Sequence, residues 1–107
     1  MRLRKETESM EEKDVLLVAQ ISDALAHPAR IRIFRHIMSC NKKRQPVCNK
    51  DLVKEFGYAQ ATISQHVKKL VDANLLQVQK RDRLSCYYVH LGTLQQYLEA
   101  TRKFENM

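Results

Sequence analysis

The stretch Tyr58–Leu76, YAQATISQHVKKLVDANLL, decides the fold of this chain. Successive residues of an α-helix are rotated by about 100°, which places Ile63, Val67 and Leu70 within one sector. Polar and basic side chains occupy the opposite sector. The pattern therefore predicts a helix that buries one apolar stripe and exposes a face rich in hydrogen-bonding groups.

The exposed face of this helix has the chemistry that reads the major groove of DNA. Glutamine can bond adenine through two hydrogen bonds, and serine or threonine can bond either type of base. Lysine suits phosphate groups, which position a protein without specifying sequence. The alternative is an ordinary amphipathic helix with a solvated face. The candidate contacts are Gln60, Thr62, Ser64, Gln65, Lys68 and Lys69.

A short helix and a turn are predicted immediately before this longer helix. Asn49 is a suitable N-cap for a helix over Lys50–Phe56, whose buried side carries Leu52, Val53 and Phe56. Gly57 can adopt the left-handed conformation that ends such a helix. A short helix, a tight turn and a longer helix together make a helix-turn-helix.

A basic hairpin is predicted after the longer helix, because the runs LLQVQK and LSCYYVH are rich in β-favouring residues. Its tip carries Lys80, Arg81 and Arg83, which can grip the DNA backbone or enter the minor groove. The alternative is a charged edge that prevents strand aggregation. Tyr87 and Tyr88 point to opposite faces, so one is expected in the core and the other to donate its hydroxyl to a phosphate. Tyr87 is taken as the DNA contact.

These elements predict one mostly α-helical α+β domain over residues 1–107, a winged helix-turn-helix of order α-α-α-α-β-β-α. Residues 1–11 are charged and expected to fray. The second helix, Ala29 to about Cys40, is expected to bury a stripe of Ile31, Phe34, Ile37 and Met38. The terminal helices, over 12–26 and 91–105, carry more apolar surface than so small a core can bury. We expect them to form a homodimer interface; the alternative is that both close a monomer core.

Charge and composition narrow the class of protein. The formal net charge of +7 favours an anionic partner. The apolar run Val15–Ala19 is far shorter than the roughly 18 residues that a membrane span needs, so no membrane contact is expected. Three cysteines at irregular spacing fit reduced thiols and a cytoplasmic location. No nucleophile–base pair, carboxylate dyad or glycine-rich phosphate loop is found, so neither an enzyme nor a cofactor is expected.

Three segments resemble the ArsR-type (arsenical-resistance repressor) winged-helix regulators: ALAHPARIRIFRHI, VCNKDLVKEFGYAQATISQHVKKLVDANLL and YYVHL. The resemblance covers roughly residues 20–95, with the motifs in the right order. It implies a homodimeric repressor of a palindromic operator, released by an effector that the sequence does not identify. It also implies base or phosphate contacts at Gln60, Thr62, Ser64, Gln65 and His66. For His66, a packed and internally hydrogen-bonded imidazole is an equal alternative.

The sequence departs from the family pattern at three places. Ala59 stands where serine is common, so the recognition helix lacks a side-chain N-cap, at a cost of about 1 kcal/mol. The wing tip lacks glycine, so Asp82 or Arg83 must make the turn. Cys48 matches the first of two cysteines in metalloid-responsive members, but Lys50 replaces the second. The last helix also lacks the aspartate, histidine and glutamate ligands that are typical of zinc-responsive relatives. No metal site is therefore predicted.

Two cysteines, Cys40 and Cys48, flank the connector between two helices and form a candidate thiol switch. A reversible disulfide or persulfide there is expected to move the neighbouring recognition helix. The alternative is that both are small, buried apolar side chains. A third reading is a regulator without a ligand, controlled by its abundance or by a partner protein.

The sequence thus predicts a regulator that binds a specific sequence of double-stranded DNA, a homodimeric repressor released by an effector. One alternative is a winged-helix interaction module whose basic face binds an acidic protein. The other is a repressor that responds to thiol oxidation.

Overall fold

Residues 9–107, which the computed structural model describes, form five α-helices and a two-stranded antiparallel hairpin. The elements are α1 (Glu12–Ala24), α2 (Pro28–Lys42), α3 (Asn49–Phe56), α4 (Gln60–Asp72), β1 (Leu76–Arg81), β2 (Leu84–Val89), α5 (Leu91–Arg102) and a closing 3₁₀ turn (Lys103–Asn106). The predicted α+β fold and its element order are confirmed. The predicted fraying of residues 1–11 falls mostly outside the described residues. No helix within 9–107 is both long and apolar enough to cross a bilayer.

Local backbone chemistry fixes the element boundaries that matter for the site. Pro28 takes the first position of α2, where its missing N–H is not needed, and the His27 ring accepts a backbone N–H of that helix. Gly57 ends α3 in the left-handed region at φ 71°. Asp82 makes the hairpin turn at φ 57°, so Arg83 does not have to. Aspartate tolerates that conformation better than arginine does.

The core lies between α2, α4 and the hairpin, and α3 packs against α4 and β2. Its fully buried side chains include Ile33, Ile37, Leu52, Ile63, Leu70, Leu75 and Leu76. The prediction that α2 buries Ile31 was wrong, because Ile31 is 50% exposed and Ile33 is fully buried. Ile33 lies one helical turn before Ile37, and the two share the face that meets the core.

The terminal helices α1 and α5 pack against each other within the chain. The Ser22 and Tyr97 hydroxyls lie 3.0 Å apart, and Lys103 Nζ lies 2.8 Å from Asp14 Oδ2. This packing leaves six large apolar side chains of the terminal segments exposed: Val15, Leu16, Leu91, Leu98, Phe104 and Met107. The terminal helices therefore meet each other without covering all of their apolar surface.

Candidate nucleic-acid interface

Helices α3 and α4 form the predicted helix-turn-helix, in which α4 is anchored by its apolar stripe. Ile63, Val67 and Leu70 are all buried. The helix packs against α2, α3 and β1, so it is supported on several sides. The stripe predicted from the sequence is confirmed, and it fixes the direction in which the other side chains of α4 point.

The opposite side of α4 exposes six of the seven residues predicted to contact DNA from this helix. They are Gln60, Thr62, Ser64, Gln65, Lys68 and Lys69. Lys68 Nζ lies 2.9 Å from Asp72 Oδ2, and both side chains are largely exposed. Such a surface ion pair contributes little to stability, so the ammonium group stays available for a phosphate. Amides and hydroxyls thus dominate the first turns of this face, and two lysines follow.

One residue of this face, Ser64, accepts a hydrogen bond from α3, and the donor also bonds a side chain of β2. Asn49 Nδ2 on α3 donates to Ser64 Oγ and to the Tyr87 hydroxyl, each at 3.2 Å. Tyr87 on β2 is only 5% exposed and belongs to the core. Burial of the Tyr87 side chain corrects the prediction that it contacts a phosphate. Sequence reasoning took Asn49 for an N-cap and missed this bridge.

His66, the seventh predicted residue, is half-buried in a cluster of aromatic and basic side chains. Its Nδ1 accepts a hydrogen bond from Arg30 Nε at 3.3 Å. Its ring centroid lies 5.1 Å from that of His27 and 6.5 Å from that of Tyr58. Burial, followed by the charges of Arg30 and His27, lowers the pKa of His66. The geometry favours the packed imidazole over a direct DNA contact.

The hairpin carries the predicted basic tip. Strands β1 and β2 pair in antiparallel register from Leu76 opposite Val89 to Arg81 opposite Leu84. Strand β1 packs against α4, so the base of the hairpin is attached to the recognition helix. The predicted cations Lys80, Arg81 and Arg83 are all exposed. The arrangement is that of a wing beside a reading helix.

The cysteines are arranged differently from the prediction. Cys48 Sγ lies 2.8 Å from Cys86 Sγ, and both residues are buried. Cys40 Sγ lies instead 3.5 Å from His36 Nε2. The predicted pairing of Cys40 with Cys48 is thus wrong in its partner. Burial, and then the hydrogen bond with Cys86, raises the pKa of the Cys48 thiol to about 11.

Metal-ligating side chains do not cluster in the described part of the chain. Within residues 9–107, no three His, Cys, Asp or Glu side chains are close enough together to hold a metal ion. On α5, Gln95 Nε2 donates to Glu99 Oε2 at 3.0 Å, so these two side chains bond each other. The absence of a metal site stays a prediction.

The chain matches a family model described as a helix-turn-helix domain over residues 25–79, more than half of its length. The "Arsenical resistance operon repressor" of Staphylococcus xylosus is 30% identical over 73 residues, which is 68% of this chain. The match spans 65% of that repressor's length.

Several solved structures share the fold. An ArsR-like transcriptional regulator from Rhodococcus sp. RHA1 has a TM-score of 0.73 and 16% identity, covering 86% of this chain and 82% of that one. HlyU from Vibrio cholerae N16961 has a TM-score of 0.67 and 18% identity, covering 82% and 92% of the two chains. The chain therefore belongs to the helix-turn-helix domain family and has the winged-helix fold of ArsR-type transcriptional regulators.

Proposed function

We propose that this protein is a transcriptional repressor that binds a specific sequence of double-stranded DNA. The observation that carries the proposal is the burial of Ile63, Val67 and Leu70, which turns the polar face of α4 outward. The relative from Staphylococcus xylosus is named as the repressor of an operon, which supports repression as the mode of regulation. The cytoplasmic location expected from the sequence is part of this proposal.

We assign the two halves of the α4 face to different parts of the DNA. The first turns of a recognition helix reach base edges in the major groove, so Gln60, Thr62 and Gln65 are assigned to bases. Ser64 joins them, held in position by Asn49. Phosphate contacts, which set the register of the protein on the duplex, are assigned to Lys68, Lys69, Lys80, Arg81 and Arg83.

A homodimer built on α1 and α5 completes the proposal. The exposed apolar side chains of these helices are removed from water if the same surface of a second copy covers them, and this burial favours association. Two copies related by a two-fold axis then present their α4 helices to half-sites about 34–36 Å apart, one turn of DNA. The expected operator is therefore palindromic.

Selection of bound fragments from genomic DNA by the purified protein tests this function. We expect enrichment of one sequence that contains two inverted half-sites. With six to ten phosphate contacts, affinity should fall by about 10³ to 10⁵ between roughly 50 and 200 mM salt. If salt-sensitive binding enriches no sequence at all, the protein binds DNA without sequence preference and the proposed sequence-specific regulation is overturned.

A further inference from the structure

Cys48 and Cys86 have the placement of a cross-strand disulfide pair. They face each other in an isolated antiparallel bridge, and Tyr87 N donates to the Val47 carbonyl at 3.0 Å just beside them. The two cysteines therefore form a non-hydrogen-bonded pair, in which the Cα atoms lie about 4.5 Å apart. That separation falls within the range of about 4.4 to 6.8 Å found for disulfides.

We propose that Cys48 and Cys86 are an oxidation site at which a hydroperoxide forms a reversible intramolecular disulfide that weakens DNA binding. The Cys48 thiolate attacks the hydroperoxide, an S–O bond forms and the O–O bond breaks. The leaving alkoxide or hydroxide takes up the proton that Cys48 released. The Cys86 sulfur then attacks the Cys48 sulfur, an S–S bond forms, and the departing hydroxide takes the Cys86 proton to become water. Two electrons and two protons pass from the thiols to the peroxide.

The pair is connected to the recognition face through its immediate neighbours. Asn49 follows Cys48 and Tyr87 follows Cys86, and both belong to the hydrogen-bonded network that holds Ser64. Forming the bond shortens the sulfur separation from 2.8 Å to about 2.05 Å. A displacement of this size at both ends of the network is comparable with the largest displacement of a side chain that a binding site tolerates.

The same bridge reaches the start of the helix-turn-helix. Cys48 is the N-cap of α3, and its backbone N–H donates to Asp51 Oδ2 at 2.8 Å in a capping box. In the other half of this capping box the Cys48 side chain faces the Asp51 backbone N–H, so rotation of that side chain into a disulfide removes this half of the cap. The loss of one cap corresponds to about a fivefold change in an equilibrium constant. We therefore expect the oxidised protein to bind its operator about fivefold more weakly.

Burial makes oxidation of the two cysteines slow and selective for small oxidants. Cys48 is 5% exposed and Cys86 is 2% exposed, so a small hydroperoxide is a better oxidant here than a bulky disulfide. The pKa of Cys48, raised to about 11, leaves little thiolate at neutral pH. Besides Cys86, the charged groups that act on this thiol are Asp51, which raises its pKa, and Lys50, which lowers it. Oxidation should therefore accelerate as the pH rises.

Peptide mapping after treatment with hydrogen peroxide tests the covalent step without reference to DNA. In the wild type we expect one cross-link between the peptides that contain Cys48 and Cys86, removed by dithiothreitol. Cys40→Ser, the matched control, should form the same cross-link, whereas Cys48→Ser and Cys86→Ser should not. The wild-type map stands even if a variant fails to fold. A cross-link through Cys40, or over-oxidation without a cross-link, overturns the proposal.

Thermal unfolding of the oxidised wild type gives a second readout. The disulfide closes a loop between residues 38 positions apart in sequence, which restricts the unfolded chain. We expect Tm to rise by at least about 5 °C on oxidation and to fall back on reduction. An unchanged or lowered Tm would show that the bond strains the fold, contrary to the placement of the pair.

The effect on DNA rests on the proposed function, and fluorescence anisotropy on the selected operator measures it. Reduced wild type should bind, and the oxidised form should bind about fivefold more weakly with recovery on reduction. In Cys86→Ser, peroxide should leave the affinity unchanged. If reduced protein selects no DNA, the proposed function fails while the peptide map still decides the disulfide. If oxidised and reduced forms bind alike, the control of DNA binding is overturned.

Discussion

At the scale of single residues, substitutions of Gln65 and Lys68 separate base recognition from electrostatic attraction to phosphates. Both are exposed on α4, but an amide can recognise a base whereas an ammonium group neutralises a phosphate. We expect Gln65→Ala to reduce discrimination at one operator position by about 1–3 kcal/mol. Lys68→Ala should weaken binding to all DNA sequences nearly equally and reduce the salt slope by about 1. Competition binding with single-base operator variants at several salt concentrations measures both.

Gln45→Ala is the matched control for the glutamine variant, because Gln45 is exposed in the connector between α2 and α3, outside both the α4 face and the terminal helices. It should leave base preference and affinity intact. Unaltered preference in Gln65→Ala as well would show that another part of α4 meets the bases.

His66 should make stability depend on pH in a direction set by its environment. Burial, Arg30 and His27 lower its pKa in the folded protein, while the unfolded chain titrates near 6.5. The unfolded state therefore binds the proton more readily. The contribution of His66 to stability is fully present above about pH 6.5 and is lost as the pH falls below that value. When the pH is lowered from about 7 to 5, we expect the Tm of His66→Gln to fall by less than the Tm of the wild type. Parallel Tm curves for the two proteins would contradict this role.

At the level of elements, α4 begins without a side-chain cap. Ala59 occupies the N-cap position with extended backbone angles (φ −62°, ψ 152°) and is exposed, so serine fits there without a clash. Ala59→Ser should raise the free energy of unfolding by about 1 kcal/mol, since the hydroxyl accepts an unpaired N–H of the first turn. Urea unfolding at a fixed protein concentration measures it. Ala61→Ser, inside the same first turn, is the control and should give no gain. Equal gains from both variants would argue against capping.

The elements differ in how far the sequence could predict them. The buried face of α4 can be predicted without ambiguity, because only one sector of that helix is apolar. In α2, Ile31 and Ile33 are both isoleucines, and only contact with the rest of the core selects Ile33. Asparagine is a preferred cap, which predicts Asn49 as the N-cap of α3, yet Cys48 holds that position. Elements with one consistent apolar face are predictable, and ambiguous ones are decided by tertiary packing.

The candidate site shows the same division between local and long-range information. The exposed groups of α4 and the basic wing tip follow from periodicity and were predicted. The bridge from Asn49 to Tyr87 joins residues 38 positions apart, as does the pair formed by Cys48 and Cys86. These contacts depend on how the connector before α3 meets β2. Sequence periodicity carries no information about that register, so it does not distinguish Cys86 from Cys40 as the partner of Cys48.

At the scale of the whole molecule, the proposed homodimer connects the terminal helices with DNA binding. Leu16 on α1 is 62% exposed, so a charge there costs the monomer little but is buried without a partner in a dimer interface. We expect Leu16→Glu to weaken self-association at least about tenfold. Full operators should then bind more weakly, while single half-sites bind as in wild type. Sedimentation velocity over a concentration series, with anisotropy on both DNAs, measures this. Val78→Glu, at an exposed apolar position on the hairpin, should leave self-association unchanged, and a wild type that stays monomeric throughout would rule out the dimer.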